Sequence, residues 1–111
     1  MTIVDFDTAY KQAFYDLNIE WLETYFYIED FDREVLSKPE KYILEPGGSI
    51  FFAVEDQVAV GTVALMPHDD GGLELTKMAV DPKQRGKRIG QQLMQHCIDF
   101  RASRGIPHLL L

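Results

Sequence analysis

The sequence predicts a protein of the α/β class, in the α+β sense, with a mixed sheet. Three stretches rich in aromatic and β-branched residues, at 49–54, 58–66 and 73–80, are separated only by short polar turns, which predicts an antiparallel meander. A stretch with apolar residues at helical spacing follows, and then a final apolar run. The third strand, this helix and the last run therefore predict a βαβ unit after the meander.

The first 45 residues predict helices around one short strand. Residues 3–6 suit a strand, and Asp7 is a suitable N-cap for a helix over 8–17. The apolar spacing resumes at Trp21 and Tyr25, so this region is either two helices or one bent helix. A short helix over 32–37 is stopped by Pro39, and residues 45–48 form a turn into the strands.

The last helix is predicted over Ile89–Ser103, with an apolar stripe that includes Leu93 and Cys97. Gly105 ends this helix, and residues 108–111 begin a strand. A short apolar edge strand is normally covered, because unpaired strand edges promote aggregation. We therefore expect a single domain over 1–111 that is truncated at its C-terminus, or whose sheet is completed by a homodimer or by strand exchange.

The composition is that of an ordinary globular protein. The chain has 111 residues, of which 46% are hydrophobic and 26% charged, and it has no apolar run long enough to span a membrane. Asp5 and Asp7 lie where an export signal would need basic and apolar residues. The single cysteine, Cys97, suits a reducing compartment. We expect a cytoplasmic protein without a membrane partner.

The charge distribution favours a small anionic ligand. The net charge is -7, yet residues 77–111 carry seven basic and two acidic side chains. An acidic protein repels nucleic acid, whereas a local basic region attracts a smaller anion. A phosphorylated cofactor fits this asymmetry.

The turn before the last helix is the strongest functional motif. A strand that enters a glycine-containing turn and then a helix leaves backbone N–H groups free to bind phosphate. The turn comprises Arg85, Gly86, Lys87, Arg88, Ile89 and Gly90. Its glycines allow close backbone approach and its basic side chains add positive charge. A Walker A loop would need Ser or Thr at position 88, and a dinucleotide-binding Gly-x-Gly-x-x-Gly pattern is absent.

This segment resembles the GCN5-related N-acetyltransferase (GNAT) family. That family carries Arg/Gln-x-x-Gly-x-Gly/Ala, usually after Val-Asp-Pro, and Arg85, Arg88 and Gly90 take the fixed positions. Arg88 replaces the middle glycine. The resemblance spans nearly all of the chain and implies that acetyl-CoA is the acyl donor, without a metal.

The resemblance also implies roles for the strand before the turn. In the family this strand splays from the next one, and the pantetheine arm lies between them. Met78, Ala79 and Val80 would bind the cofactor, with the Val80 N–H polarising the thioester carbonyl as an oxyanion donor. The strand that starts at His108 would form the other wall.

Glu74 is the candidate general base. Several family members place a carboxylate five residues before the position of Ala79. In regular strand alternation Glu74, Thr76, Met78 and Val80 would share one face, so that the carboxylate and the oxyanion donor could look into one cleft. A protonated amine has no lone pair for attack, which is why a base is needed. A solvated surface carboxylate is the alternative interpretation.

Other polar and aromatic residues suit structural roles. His68, Asp69 and Asp70 fit a polar turn better than a metal site. His96 and Cys97 are adjacent on a helix and so point in different directions. Aromatic side chains of the first helical region would pack in the core or edge the acceptor pocket: Trp21, Tyr25, Phe26 and Tyr27.

Taken together, the sequence predicts an acetyl-CoA-dependent N-acetyltransferase. The acceptor would be the primary amine of a small molecule, an amino acid or a peptide, attacking the thioester directly. A non-catalytic acyl-CoA-binding module and a purely structural interaction domain are the alternatives.

Overall fold

The strands form one five-stranded sheet in a computed structural model that describes residues 1–111. Their order in the sheet follows their order in the chain. The first three pairings are antiparallel and the last is parallel, which confirms the predicted meander and βαβ unit. The strands are β1 (Thr2–Asp5), β2 (Ser49–Glu55), β3 (Val58–Pro67), β4 (Leu73–Val80) and β5 (Leu109–Leu110).

Three α-helices accompany the sheet: α1 (Lys11–Tyr25), α2 (Asp30–Ser37) and α3 (Ile89–Ser103). The Asp7 carboxylate accepts a hydrogen bond from the Ala9 N–H at 2.8 Å and so caps a 3-10 turn, which leads into α1. The sequence predicted two helices or one bent helix in this region. The structure has one continuous helix, α1, after the short 3-10 turn. None of the helices has the length and apolar character that a membrane crossing requires.

The connection from α2 to the sheet contains an element that the sequence pattern did not predict. α2 begins two residues earlier than expected, and its first turn is anchored by the Asp32 carboxylate, which accepts a hydrogen bond from the Glu29 N–H at 2.9 Å. Pro39 ends this helix and precedes a π-helical turn at Glu40–Leu44. This turn carries Ile43 into the core, where the side chain is 2% exposed.

The core has two halves, one on each face of the sheet. α3 packs Leu93 and Cys97 against one face, which includes Phe51. On the other face α1 packs Phe14 edge-on against Phe52, with ring centroids 6.5 Å apart. Because helices cover both faces, β2 and β3 are apolar almost throughout instead of alternating with polar residues.

β4 contains a bulge that reverses its side-chain alternation. Thr62 of β3 pairs with Ala79, but Ala64 pairs with Thr76, so two residues of β4 lie opposite one residue of β3. Lys77, one of these two, has a left-handed backbone with φ of 53°. An extra residue in one strand shifts the following side chains to the opposite face.

Candidate active site

The turn between β4 and α3 presents six consecutive backbone N–H groups without an acceptor in the chain. Before it, the Arg85 N–H donates to the Pro82 carbonyl at 3.4 Å; after it, the Gln92 N–H donates to the Arg88 carbonyl at 3.0 Å. The N–H groups of residues 86–91 have no intramolecular partner, and no side chain caps α3. The positive end of the helix dipole adds to them, so this turn complements a phosphate-sized anion.

Two left-handed residues shape this turn. Gly86 has φ of +93° and Arg88 has φ of 62°. Glycine adopts this region freely, whereas other residues do so at a cost of roughly 1 kcal/mol. The motif that this segment resembles has glycine at the position of Arg88, and glycine adopts the observed φ without strain. Gly90 lies against β4, since a β-carbon there would be 3.9 Å from Met78 Sδ and Val80 Cγ2.

The turn forms one end of a cleft of about 510 Å³. The cleft is lined by ten residues, which are Trp21, Met78, Ala79, Val80, Arg85, Gly86, Arg88, Ile89, Gly90 and Gln91. Eight of the nine predicted cofactor-binding residues are therefore brought together. Lys87 is the exception, because its Nζ turns to Gln84 Oε1 at 2.7 Å. Sequence reasoning missed Gln91, although its position in the first turn of α3 could have indicated it.

The backbone of Val80 faces the edge of β4 that points away from β3. The Asp81 N–H donates to the Val60 carbonyl at 2.8 Å, and Val80 pairs with Gly61. In an antiparallel ladder these two facts make Val80 and Gly61 a pair without hydrogen bonds to each other. The Val80 N–H and carbonyl therefore both point to the opposite edge. This orientation is the one that an oxyanion donor in the cleft requires.

β5 borders only the beginning of β4. Leu109 and Leu110 pair with Leu73 and Glu74, and the Leu73 N–H donates to the His108 carbonyl at 3.0 Å. His108, expected to start the second wall of the cofactor cleft, thus lies at the far end of β4 from Val80. Within residues 1–111 no strand pairs with this edge of β4, the one opposite β3, beside Val80.

Glu74 does not share a face with Val80, contrary to the alternation expected from the sequence. Glu74 lies opposite Met66 and Val80 opposite Gly61, and these two residues of β3 project to different faces. The bulge at Lys77 causes the reversal. Glu74 is exposed and lines a separate pocket of about 260 Å³ with residues of α2 and the π-helical turn. At about 3.3 Å per residue, its Cα is roughly 20 Å from that of Val80.

Arg85 connects the cleft to α1. Its Nη2 lies 3.3 Å from Glu20 Oε2 and 3.2 Å from the carbonyl oxygen of Val80. The guanidinium carbon lies 5.3 Å from the ring centroid of Trp21 and 5.7 Å from that of Tyr25. Cation–π contacts and an ion pair thus hold the first basic residue of the motif against the helix that edges the cleft.

A family model described as "Acetyltransferase (GNAT) family" matches residues 11–111, which is nearly the whole chain. The chain belongs to the GNAT family. The GNAT family predicted from the sequence is thus confirmed together with its fold, and the phosphate-complementary turn lies inside the matched region.

Curated relatives share only part of their length with this GNAT chain. The N-acetylaspartate synthetases of Mus musculus and Homo sapiens are each 41% identical to it over 63 residues. That segment covers 55% of this chain but only 21% of each relative.

Solved structures show the same GNAT fold. An acetyltransferase of the GNAT family from Staphylococcus aureus has a TM-score of 0.85 at 25% identity, and the match covers 97% of this chain and 69% of that one. An aminoglycoside 6'-N-acetyltransferase complexed with coenzyme A has a TM-score of 0.73 at 25% identity, covering 95% and 57%. A predicted acetyltransferase from Clostridium acetobutylicum with acetyl-CoA has a TM-score of 0.77 at 16% identity, covering 99% and 79%.

The remaining polar candidates of this GNAT chain lie away from the cleft. Asp70 accepts a hydrogen bond from the Gly72 N–H at 2.9 Å and lies 2.8 Å from His108 Nε2. The Gly72 N–H, with His108 and His68 beside it, holds the pKa of the Asp70 carboxyl below its usual range. These residues tie the β3–β4 turn to β5. Cys97 is fully buried, and burial raises the pKa of its thiol to about 12.

Proposed function

We propose that this chain transfers the acetyl group of acetyl-CoA to a primary amine of a small molecule, an amino acid or a peptide. The observation that carries the proposal is the run of six unpaired N–H groups at residues 86–91, set at the end of a cleft that also contains the Val80 N–H edge. A phosphate site and an oxyanion donor in one cleft suit a phosphorylated thioester. The coenzyme A and acetyl-CoA in the names of two structural neighbours support the same ligand.

The turn would hold the pyrophosphate. Backbone N–H groups of residues 86–91 would donate to phosphate oxygens, and Arg88, exposed in the lining of the cleft, would add charge. Gly90 lets the phosphate approach the helix, since any larger side chain there would lie in the lining. Met78 and Ala79 would flank the pantetheine arm.

Val80 would act on the reacting carbonyl. Acetyl-CoA supplies an acetyl group on a thioester, which an amine can attack directly. The Val80 N–H would donate to the carbonyl oxygen as negative charge develops on it, which lowers the barrier to attack. Glu74 remains a proposed base, and from its distance it would reach the amine only through intervening water.

The experiment is calorimetric titration of acetyl-CoA into the wild-type chain and the Gly90→Glu variant. We expect salt-sensitive binding by the wild type and none by the variant, because a carboxylate would replace the phosphate at the helix N-terminus. Gln95→Glu adds the same charge to the exposed side of α3 and should bind like the wild type. Equal binding by all three chains would refute the proposal, whereas binding without turnover would favour the non-catalytic acyl-CoA-binding module.

A cytoplasmic location and completion of the sheet by a homodimer or by strand exchange belong to the same proposal. The single cysteine supports the first. The β4 edge beside Val80, with which β5 does not pair, supports the second.

A further inference from the structure

The α1 carboxylate of Glu20 lies at the open edge of β4, beside the proposed oxyanion donor. One nitrogen, Arg85 Nη2, joins Glu20 Oε2 at 3.3 Å to the Val80 carbonyl oxygen at 3.2 Å. The Thr24 hydroxyl donates to the Glu20 backbone carbonyl at 2.9 Å and lies 3.1 Å from Glu20 Oε1. Both the Val80 carbonyl and its N–H point to this edge. Arg85 therefore holds the Glu20 carboxylate on the side of β4 where the thioester carbonyl would lie.

The surroundings of this nitrogen form a site for a cation. Trp21 and Tyr25 contact each other with ring centroids 4.4 Å apart and planes tilted by 45°, and the Arg85 guanidinium lies over both rings. The Tyr25 hydroxyl adds a contact at 3.5 Å to Arg85 Nη1. A carboxylate, a carbonyl oxygen and two aromatic rings bind an alkylammonium as readily as a guanidinium, because both are cations with N–H donors. An amine that displaced the Arg85 guanidinium would meet the same groups next to Val80.

We infer that Glu20 is the catalytic base that takes the proton from the acceptor ammonium. This inference rests on the proposed function. The ammonium would enter the position of Arg85 Nη2 and give one proton to Glu20. The nitrogen would then form a bond to the acetyl carbon while the carbon–sulfur bond breaks. Sulfur leaves with the bonding electrons and takes the second proton from nitrogen, and Glu20 later returns its own proton to water.

When the amine enters, the Arg85 guanidinium could move from Glu20 to a phosphate bound at the adjacent turn. Arg85 immediately precedes the six unpaired N–H groups, so a phosphate bound there would compete with Glu20 for the guanidinium. Cofactor binding would thus free the carboxylate for the acceptor. Glu74 has no comparable link to Val80, because the bulge places it on the other face.

The test compares two probe acceptors at pH 7 with saturating acetyl-CoA. n-Butylamine is almost fully protonated at this pH and needs a base, whereas hydroxylamine is largely neutral and does not. For Glu20→Gln we expect acetylation of n-butylamine to fall about 100-fold, the scale of general-base catalysis, with hydroxylamine acetylation little changed. Glu23→Gln, on the exposed side of the same helix, should behave like the wild type with both acceptors.

A purely structural role for Glu20 predicts an equal loss with both acceptors, so that result would overturn the inference. The inference would also be overturned if the wild type binds acetyl-CoA but Glu20→Gln does not slow the acetylation of n-butylamine more than that of hydroxylamine. A larger selective loss in Glu74→Gln than in Glu20→Gln would return the role to Glu74. Failure of the wild type to bind acetyl-CoA would instead refute the proposed function.

Discussion

Gly61 of β3 lies directly beneath Ile89, the first residue of α3. A β-carbon at position 61 would come within 3.0 Å of Ile89 Cγ2 and 3.1 Å of Leu93 Cδ1. This close approach sets the start of α3 against the strand that pairs with Val80. The height of the phosphate-complementary turn above the sheet therefore depends on the absence of a side chain at position 61.

Gly61→Ala should destabilise the fold by about 1–3 kcal/mol, because the added methyl overpacks a fully buried contact. Urea denaturation followed by circular dichroism measures the change. Gly90→Ala is the matched control, since its β-carbon would meet neighbours at an ordinary 3.9 Å and alanine favours a helix. A Gly61→Ala variant as stable as Gly90→Ala would contradict the packing described here.

The left-handed backbone of Arg88 costs conformational energy, so the stability of the chain should depend on how well the residue at position 88 tolerates it. Arg88→Val should lose about 1–2 kcal/mol of stability relative to Arg88→Gly, because a β-branched residue is poorly tolerated at φ of 62°. Thermal or urea unfolding of the two variants measures the difference. Equal stabilities would mean that position 88 is not held in the left-handed region.

The Asp70 contacts should make stability depend on pH. The Gly72 N–H, followed by His108, lowers the pKa of Asp70 in the folded chain below 3.8, so the contribution is present above that value and is lost as pH falls through the folded pKa. Asp70→Ala should therefore unfold at lower urea than the wild type at pH 6, and the difference should shrink below about pH 4. Asp69→Ala, one residue away, should show no such pH-dependent difference.

Cys97 should be unreactive in the folded chain. Its thiol is fully buried and has a pKa raised to about 12, so almost no thiolate exists at pH 8. Alkylation by iodoacetamide, followed by mass spectrometry, should proceed only after urea is added. Ser103→Cys offers an exposed thiol on the same helix and should react without urea. Rapid native alkylation of Cys97 would show that α3 opens readily.

Local signals in the sequence predicted much of the fold. The bounds of β4 and α3 match the prediction to the residue, because Asp81-Pro82 ends the strand and Gly105 follows the helix. The same signals explain why eight of the nine predicted cofactor-binding residues line one cleft, since they are close together in the chain. The π-helical turn after Pro39 lacked such a signal and was missed.

Only the part of the candidate site that is built from residues close together in the sequence could be predicted. Lys77 carries no sequence feature typical of a left-handed residue, so the bulge and the reversed face of Glu74 could not be foreseen. The Glu20–Arg85 ion pair joins residues 65 apart in the chain, and no spacing rule relates them. Trp21 reached the cleft through the same packing of α1 on the sheet.

The sequence by itself determined the strand, turn and helix that form the proposed phosphate site, because a helix start and its preceding turn are built from adjacent backbone groups. The tertiary structure alone decided which carboxylate lies beside Val80. That choice depends on a one-residue bulge in β4 and on how α1 packs across the sheet, which are consequences of contacts between distant segments.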